Sequence, residues 1–184
     1  MWKVISQEQI GDLARERSVV TILLARSMNA DFLRWLYHSW NEIHEIAGAR
    51  WHIVIPSKSG RWVWAGDGPD IEDFNTALSL EIANSYGISR RRLPCLILED
   101  FCEDAVPIRI AIPEDEKGRA KFVDDFSDII ASLSGEDFSA QNWLGRRGVN
   151  AAIADSLGRK KMAANGLKLL PKAVGAFAKF GFNR

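Results

Sequence analysis

Cysteine and histidine are scarce in this sequence: its 184 residues include two cysteines, Cys95 and Cys102, and three histidines. Two cysteines so close together do not make the disulfide framework of a small secreted protein, which favours a reducing, intracellular compartment. The amino-terminal stretch MWKVISQEQIGDLARERS lacks the charged-then-apolar plan of a signal peptide. No apolar run approaches the roughly 18 residues that cross a bilayer. We therefore expect a cytoplasmic protein.

Net charge is zero overall, but the charges are unevenly distributed along the chain. Residues 1–135 contain 15 Lys+Arg against 21 Asp+Glu, a balance of −6, whereas residues 136–184 contain 9 against 3, a balance of +6. This asymmetry predicts an acidic domain over 1–135 and a basic extension over 136–184. With 47% hydrophobic residues and seven tryptophans, the chain has enough apolar surface to bury a core.

Hydrophobic patterning predicts five strands and four helices in residues 1–135. VVTILLA (19–25) is a continuous apolar run, typical of a strand that is buried on both faces. NADFLRWLYHSWNEIHEIAG (29–48) reads as one long amphipathic helix. LPCLILED and VPIRIAIP are strands joined by few residues, which predicts an antiparallel hairpin. The order β-α-β-α-β-α-β-β-α indicates an α/β fold, a mixed sheet flanked by helices, followed by a C-terminal helical extension.

The segment YGISRRRLPCLILE (86–99) and the order of elements together resemble the thioredoxin-like superfamily over residues 1–135. The shared local features are Tyr-Gly-Ile, a basic residue, an apolar residue before proline and an apolar strand after it. The resemblance implies a cis Leu93–Pro94 peptide bond. It also implies that the backbone beside this proline pairs with an extended client peptide. That role falls on Leu93. Pro94 shapes the ledge, by which we mean the surface formed by these two residues, and Met28 and Asn29 are expected to face it.

The sulfur chemistry of that superfamily is missing from this sequence. The redox pair C-x-x-C would fall on residues 28–31, which read Met-Asn-Ala-Asp, and no cysteine precedes Cys95. Dithiol exchange requires a thiolate at a helix N-terminus, which a thioether or a carboxylate cannot supply. The buried carboxylate that the resemblance implies falls on Ile22. We therefore expect a redox-inactive member of the superfamily that acts as a protein-binding or assembly module, and a non-enzyme is favoured over an enzyme.

Cys95 leaves one enzymatic alternative open. It directly follows Pro94, so it is a candidate for a thiol oxidoreductase or a redox sensor that acts near the vacant motif. The favoured interpretation is a small apolar residue that faces the core within PCLIL. Cys102 lies among carboxylates in EDFCEDA, which raise the pKa of a thiol and lower its reactivity.

Arg90, Arg91 and Arg92 form a basic run directly before Leu93, in an otherwise acidic domain. Arginines in such a run bind phosphate, nucleic acid or the carboxylates of a partner, or they remain an ordinary solvated loop. The sequence does not decide between these two interpretations. We include the three arginines in the candidate partner-binding site.

The sequence predicts no cofactor and no metal site. His38, Glu42 and Glu45 share one face of a predicted helix, but that face is the polar one, where such pairs are ordinary. SKSGRWVWAGDGPD (57–70) fits neither of the glycine-rich phosphate motifs. Trp62 and Trp64 in this stretch are predicted to pack beneath the loop, with ligand stacking as the alternative.

The basic tail, residues 165–184 (NGLKLLPKAVGAFAKFGFNR), combines lysines on one side of a helical wheel with apolar residues over much of the remainder. Such a helix docks on protein, either its own domain, a second copy or a partner. The alternative is a peripheral effector that lies on an anionic membrane surface. Nucleic acid is not expected as a partner, because three spaced lysines make a poor phosphate track. The predicted docking residues are Leu169, Leu170, Val174, Phe177 and Phe180.

Overall fold

Five strands and six helices lie in the part of the chain that the computed structural model describes, residues 2–15, 18–47, 50–59, 71–101, 108–133 and 143–164. The strands are β1 (Trp2–Val4), β2 (Val19–Leu24), β3 (Trp51–Pro56), β4 (Cys95–Glu99) and β5 (Ile108–Ala111). The helices are α1 (Glu8–Gly11), α2 (Ala30–His38), α3 (Trp40–Ala47), α4 (Thr76–Ser85), α5 (Glu116–Ser132) and α6 (Trp143–Ala164).

The strands form one mixed sheet in the order β1-β3-β2-β4-β5. β1, β3 and β2 are parallel, β4 is antiparallel to β2, and β5 is antiparallel to β4. The predicted α/β class with a mixed sheet flanked by helices is confirmed. Because Leu24 pairs with Cys95, the parallel strands end at the same edge of the sheet at which β4 begins. We call this edge the carboxyl edge; it is marked by Val4, Leu24, Pro56 and Cys95.

Helices cover both faces of the sheet. α2, α3, α5 and α6 contribute to the core on one face, which includes Phe32, Phe126 and Ile153. α1 and α4 contribute to the core on the other face, which includes Ile10 and Ile82. Every residue of β2 is buried, because this strand has a neighbour on each side and helices over each face. Full burial of one aliphatic side chain contributes about 1.5–3 kcal/mol, so β2 supplies a large share of the hydrophobic stabilisation.

The long helix that the sequence predicts over residues 29–48 is divided at Ser39. α2 ends at His38 and α3 begins at Trp40, with Ser39 at φ −88° and ψ 9°, outside the α-helical range. Ser39 N donates a hydrogen bond to Trp35 O, and Ile43 N donates one to Ser39 O. These bonds bridge the break, and serine, a moderate helix former, is tolerated there.

α6, the part of the predicted extension that the structure describes, packs into the same core as the sheet. Val149 and Ile153 are buried in the core shared with α5. Arg147 Nε lies 3.0 Å from Asp100 Oδ2, and the buried Asn150 Nδ2 donates to Glu99 O at 3.1 Å. Farther along the helix, Lys160 Nζ lies 3.2 Å from Asp125 Oδ1 on α5. Cations of the basic extension therefore pair with carboxylates of the acidic domain.

Within the described ranges, no helix combines the length and the apolar composition that a bilayer crossing requires.

A buried serine ties α4 to the end of β2. Ser79 Oγ accepts a hydrogen bond from Ala25 N (2.9 Å) and donates one to Ala25 O (2.8 Å). Ala25 directly follows β2, and both residues are fully buried. Since buried backbone groups need hydrogen-bond partners, Ser79 fixes the point at which the chain leaves the sheet.

We expect Ser79→Ala to lower the free energy of unfolding by about 2 kcal/mol or more, because a buried N–H and a buried C=O lose their partner. Ser132→Ala is the matched control: Ser132 is exposed, and its hydroxyl donates to Ile129 O within its own helix. The control should change stability by no more than about 0.5 kcal/mol. Urea denaturation measures both variants, and equal values would show that the Ala25 hydrogen bonds contribute nothing.

Candidate binding edge

The structure brings the predicted partner-binding residues together at the carboxyl edge. Met28 and Asn29 belong to a 3-10 turn, Ser27–Asn29, that follows β2, and Leu93 and Pro94 directly precede β4. The pairing of Leu24 with Cys95, continued by two residues, sets the start of this turn beside the Leu93–Pro94 loop. Although the two segments are far apart in sequence, both therefore lie at the carboxyl edge.

Met28 is held outward by the turn that contains it. Asn29 Oδ1 accepts a hydrogen bond from Arg26 N (2.8 Å), and Asn29 N donates one to Arg26 O (2.9 Å). These two bonds close the turn, and the Met28 side chain between them is 73% exposed. Asn29 thus acts through the turn, while Met28 offers a flexible apolar side chain of the kind that adapts to varied partners.

The ledge, residues Leu93 and Pro94, is the short stretch of chain that leads into β4 at this edge. The Leu93–Pro94 peptide bond is cis. Leu93 has an extended conformation, φ −95° and ψ 145°, and the residue as a whole is only 6% exposed, because it packs in the core below α4. An extended backbone at the end of a sheet is suited to pairing with another extended chain.

The three predicted arginines form a second 3-10 turn, Arg90–Arg92, which we call the arginine turn. Ser89 caps it: Ser89 O accepts from Arg92 N (2.9 Å), and Ser89 Oγ accepts from Arg91 N (3.3 Å). The guanidinium group of Arg109 on β5 donates to Arg92 O from Nε (3.2 Å) and from Nη2 (2.8 Å). The turn is therefore fixed by its backbone, while its three side chains are exposed.

Ile5 and Arg109 were missed by the sequence interpretation. Ile5 directly follows β1 and is 49% exposed; it and Met28 are the exposed large hydrophobic residues in the described ranges. β3 lies between β1 and β2, so the two strands that lead to these residues are about 10 Å apart. Ile5 continues the alternating pattern WKVIS, and for that reason the sequence cannot distinguish it from a strand residue. A single arginine within the apolar strand IRIA was the available signal for Arg109.

A buried ion pair closes the carboxyl edge near β1 and β3. Lys3 Nζ lies 2.5 Å from Asp73 Oδ2, and both side chains are largely buried. Asp73 also accepts hydrogen bonds from Ser57 Oγ (2.7 Å) and Ser59 N (3.0 Å). Burial by itself raises the pKa of Asp73, but the hydrogen bonds from Lys3, Ser57 and Ser59 outweigh it and hold the pKa well below its usual range.

Cys95 lies at the same edge but faces the core. Its side chain is 0% exposed and packs among the residues below α4. Burial raises the pKa of the thiol, and the guanidinium group of Arg109 offsets only part of this effect. This environment matches an inert structural cysteine rather than a reactive one. Cys102 lies outside the described residues.

Among the described residues, the other candidates are not assembled into a site. Across the described ranges, no three His, Cys, Asp or Glu side chains are grouped as a metal would require. His38 Nδ1 lies 2.7 Å from Arg34 O, a contact within its own helix. Trp62 and Trp64 lie outside the described residues, and so do the predicted docking residues of the tail, Leu169, Leu170, Val174, Phe177 and Phe180.

Known proteins add no assignment to this edge. Comparisons of the chain with protein-family models, with curated proteins and with solved structures found no match.

We expect Lys3→Met to lower the free energy of unfolding at pH 7 by about 3 kcal/mol, because it leaves the Asp73 carboxylate buried without its cation. The pH dependence should change as well. A carboxylate whose folded pKa is lowered stabilises the fold above its unfolded pKa, and this stability is lost as the pH falls through about 4 and below. Replacement of Lys3 should raise the pKa of Asp73 in the folded protein, so Asp73 should contribute less to the loss of stability at acidic pH.

Urea denaturation at pH 7 and at acidic pH measures both effects. Lys117→Met is the matched control, since Lys117 is exposed on α5 and its replacement should leave the pH profile unchanged. Profiles of equal slope in the two variants would contradict the role of the Lys3–Asp73 pair.

In a variant that carries Cys102→Ser, the Cys95 thiol should resist alkylation and peroxide in the folded protein and react once the protein is unfolded in urea. Burial removes the thiol from solvent, and the raised pKa lowers its thiolate fraction. Mass spectrometry of the time course provides the measurement. Modification of the folded protein at the rate seen in urea would restore the thiol-dependent alternative.

Proposed function

We propose that this protein is a redox-inactive, thioredoxin-like binding module that holds an extended segment of a partner protein at its carboxyl edge. The ledge backbone pairs with the segment, and Met28 contacts its side chains. The neighbourhood of the Ser27–Asn29 turn and the Leu93–Pro94 loop supports the thioredoxin-like interpretation, since the resemblance implies that these two segments face each other.

One observation carries the proposal: at this edge the thioether of Met28 is exposed and the backbone of Leu93 is extended, while the nearby thiol is buried. Met28 is 73% exposed, and Cys95 is 0% exposed. A thioether has no proton to lose and takes no part in dithiol exchange. It does offer an adaptable apolar contact, so this edge is suited to holding a chain and not to transferring electrons.

Pairing with an extended segment follows from the backbone geometry at Leu93. Strand addition gives affinity through main-chain hydrogen bonds and gives specificity through side chains at alternate positions. Leu93 has the extended conformation that such pairing needs. Its buried side chain anchors the ledge to the core below α4, so the ledge is preorganised and loses little conformational entropy on binding.

The two alternatives, a thiol-dependent enzyme or sensor and a peripheral membrane effector, gain no support from the described residues. A thiol oxidoreductase or redox sensor needs an accessible thiolate, and Cys95 is buried with a raised pKa. The membrane effector relies on residues 165–184, which lie outside the described ranges.

We expect Met28→Asp to weaken binding of selected peptides at least about tenfold, since burying a methionine side chain contributes roughly 1.5–3 kcal/mol. The probes are peptides selected from a random library on the immobilised full-length protein, and titration calorimetry measures their affinities. Met28 is replaced alone because Leu93 is buried, so a Leu93 variant would confuse loss of binding with loss of folding.

Ala151→Asp serves as the matched control, because Ala151 is exposed on α6 and the same charge is added there. It should bind the peptides as the unchanged protein does. Cross-strand nuclear Overhauser effects between a bound peptide and Leu93 would support strand addition. Equal affinities for the two variants, or a bound peptide without contact to Leu93, would rule out the ledge as the peptide-binding site.

A further inference from the structure

We propose that the segment held at the carboxyl edge is acidic and that the arginine turn, Arg90–Arg92, selects it. This inference rests on the proposed function, because it assigns a chemical class to the partner segment of the same edge. The carboxylates of the segment bind the guanidinium groups, and an apolar residue of the segment contacts Met28.

The charges of the arginine turn are not neutralised within the described part of the chain. Arg90, Arg91 and Arg92 are exposed, and none forms an ion pair with a described residue. Several other described cations do lie in ion pairs: a carboxylate oxygen lies within 2.5–3.2 Å of Lys3, Lys121, Arg147 and Lys160. Adjacent like charges repel one another, so a ligand that brings carboxylates relieves this repulsion.

Hydrogen bonds fix the backbone of the arginine turn, whereas its three arginine side chains are exposed. Ser89 caps it, and both hydrogen bonds from Arg109 converge on Arg92 O. A fixed backbone lowers the entropic cost of binding. Arginine suits carboxylates in particular, because its planar group donates two parallel hydrogen bonds to one carboxylate.

The position of the turn connects it to the ledge. Arg92 is the residue directly before Leu93, so a strand that pairs with Leu93 runs past the turn. Each residue of an extended chain advances about 3.3 Å, and an arginine side chain reaches farther than one such step. Carboxylates within a few residues of the paired position therefore come within reach of the guanidinium groups.

A protein segment fits this edge better than nucleic acid or a membrane. Residues 1–135 contain 21 acidic against 15 basic residues, and such a surface repels a long polyanion that extends beyond the turn. The turn also lies at the same edge as the exposed Met28 and directly precedes the extended Leu93, and both of these favour a peptide. A short acidic stretch is matched to three arginines, whereas a phosphate track needs more contacts.

The test compares Arg90→Gln/Arg91→Gln/Arg92→Gln with a control triple variant, Lys121→Gln/Arg159→Gln/Lys160→Gln. The control removes the same charge from α5 and α6, where the ion pairs of these side chains are exposed or partly exposed and contribute about 1 kcal/mol each. Both are full-length proteins, and thermal unfolding verifies that they are folded. The probes are the library-selected peptides and versions of them in which Asp and Glu are replaced by Asn and Gln.

We expect the selected peptides to be rich in Asp and Glu and to bind more weakly as salt is raised. Their affinity should fall about tenfold or more in the arginine variant and stay unchanged in the control variant, and the neutral peptides should lose affinity by the same factor.

Three other results would overturn the inference in distinguishable ways. Selection of neutral peptides whose affinity depends on Met28 but not on the arginines would support the proposed function and contradict the inference that the partner segment is acidic. Peptides whose affinity depends neither on Met28 nor on the arginines would contradict both the proposed function and the acidic partner. Arginine-dependent binding of a single-stranded oligonucleotide, or of vesicles rich in phosphatidylserine, without selection of acidic peptides would assign the turn to nucleic acid or to a membrane.

Discussion

The antiparallel pairing of β4 with β2 is the constraint on which the carboxyl edge depends. Its register joins Leu24 to Cys95, and side chains in a strand alternate between faces, so a slip of one residue would move every buried side chain of β4 to the opposite face. Cys95 and Ile97 would then exchange faces with Leu96 and Leu98. Because both faces are covered by helices, this register also fixes which backbone lies beside the end of β2.

The loops at the carboxyl edge are fixed by polar contacts that are buried or directed at the backbone. Ser79 holds Ala25, Asn29 closes the turn around Met28, Arg109 holds the arginine turn, and Lys3 with Asp73 closes the side near β1. The bonds of Ser79, Asn29 and Arg109 order the backbone, while the side chains of Met28 and of the arginine turn are exposed. A surface of this kind combines a preorganised main chain with adaptable side chains, which is what recognition of an extended peptide requires.

Local patterns in the sequence sufficed to predict the layers of the fold, but not the contacts that shape its edge. VVTILL and CLILE predict buried strands because their apolar runs are continuous, and the short connection between the last two strands predicts their antiparallel pairing. The position of Met28 and Leu93 followed from the resemblance. The Lys3–Asp73 pair and the packing of Val149 and Ile153 were not predictable, because they join residues far apart in sequence. The exposure of Ile5 was hidden by a strand pattern that runs one residue past β1.

The charges of the two parts of the chain are complementary. In the sequence, the acidic domain and the basic extension look like separate partners, but α6 brings Arg147 to Asp100 and Lys160 to Asp125 and Asp128. Cations of the extension therefore neutralise carboxylates of the domain at the sheet face that carries α5. The arginine turn lies at the end of α4, on the other side of the sheet, where no described carboxylate meets it. Its charge is consequently available at the same edge as the exposed Met28, so that the guanidinium groups and the thioether could both contact the segment that we propose is held there.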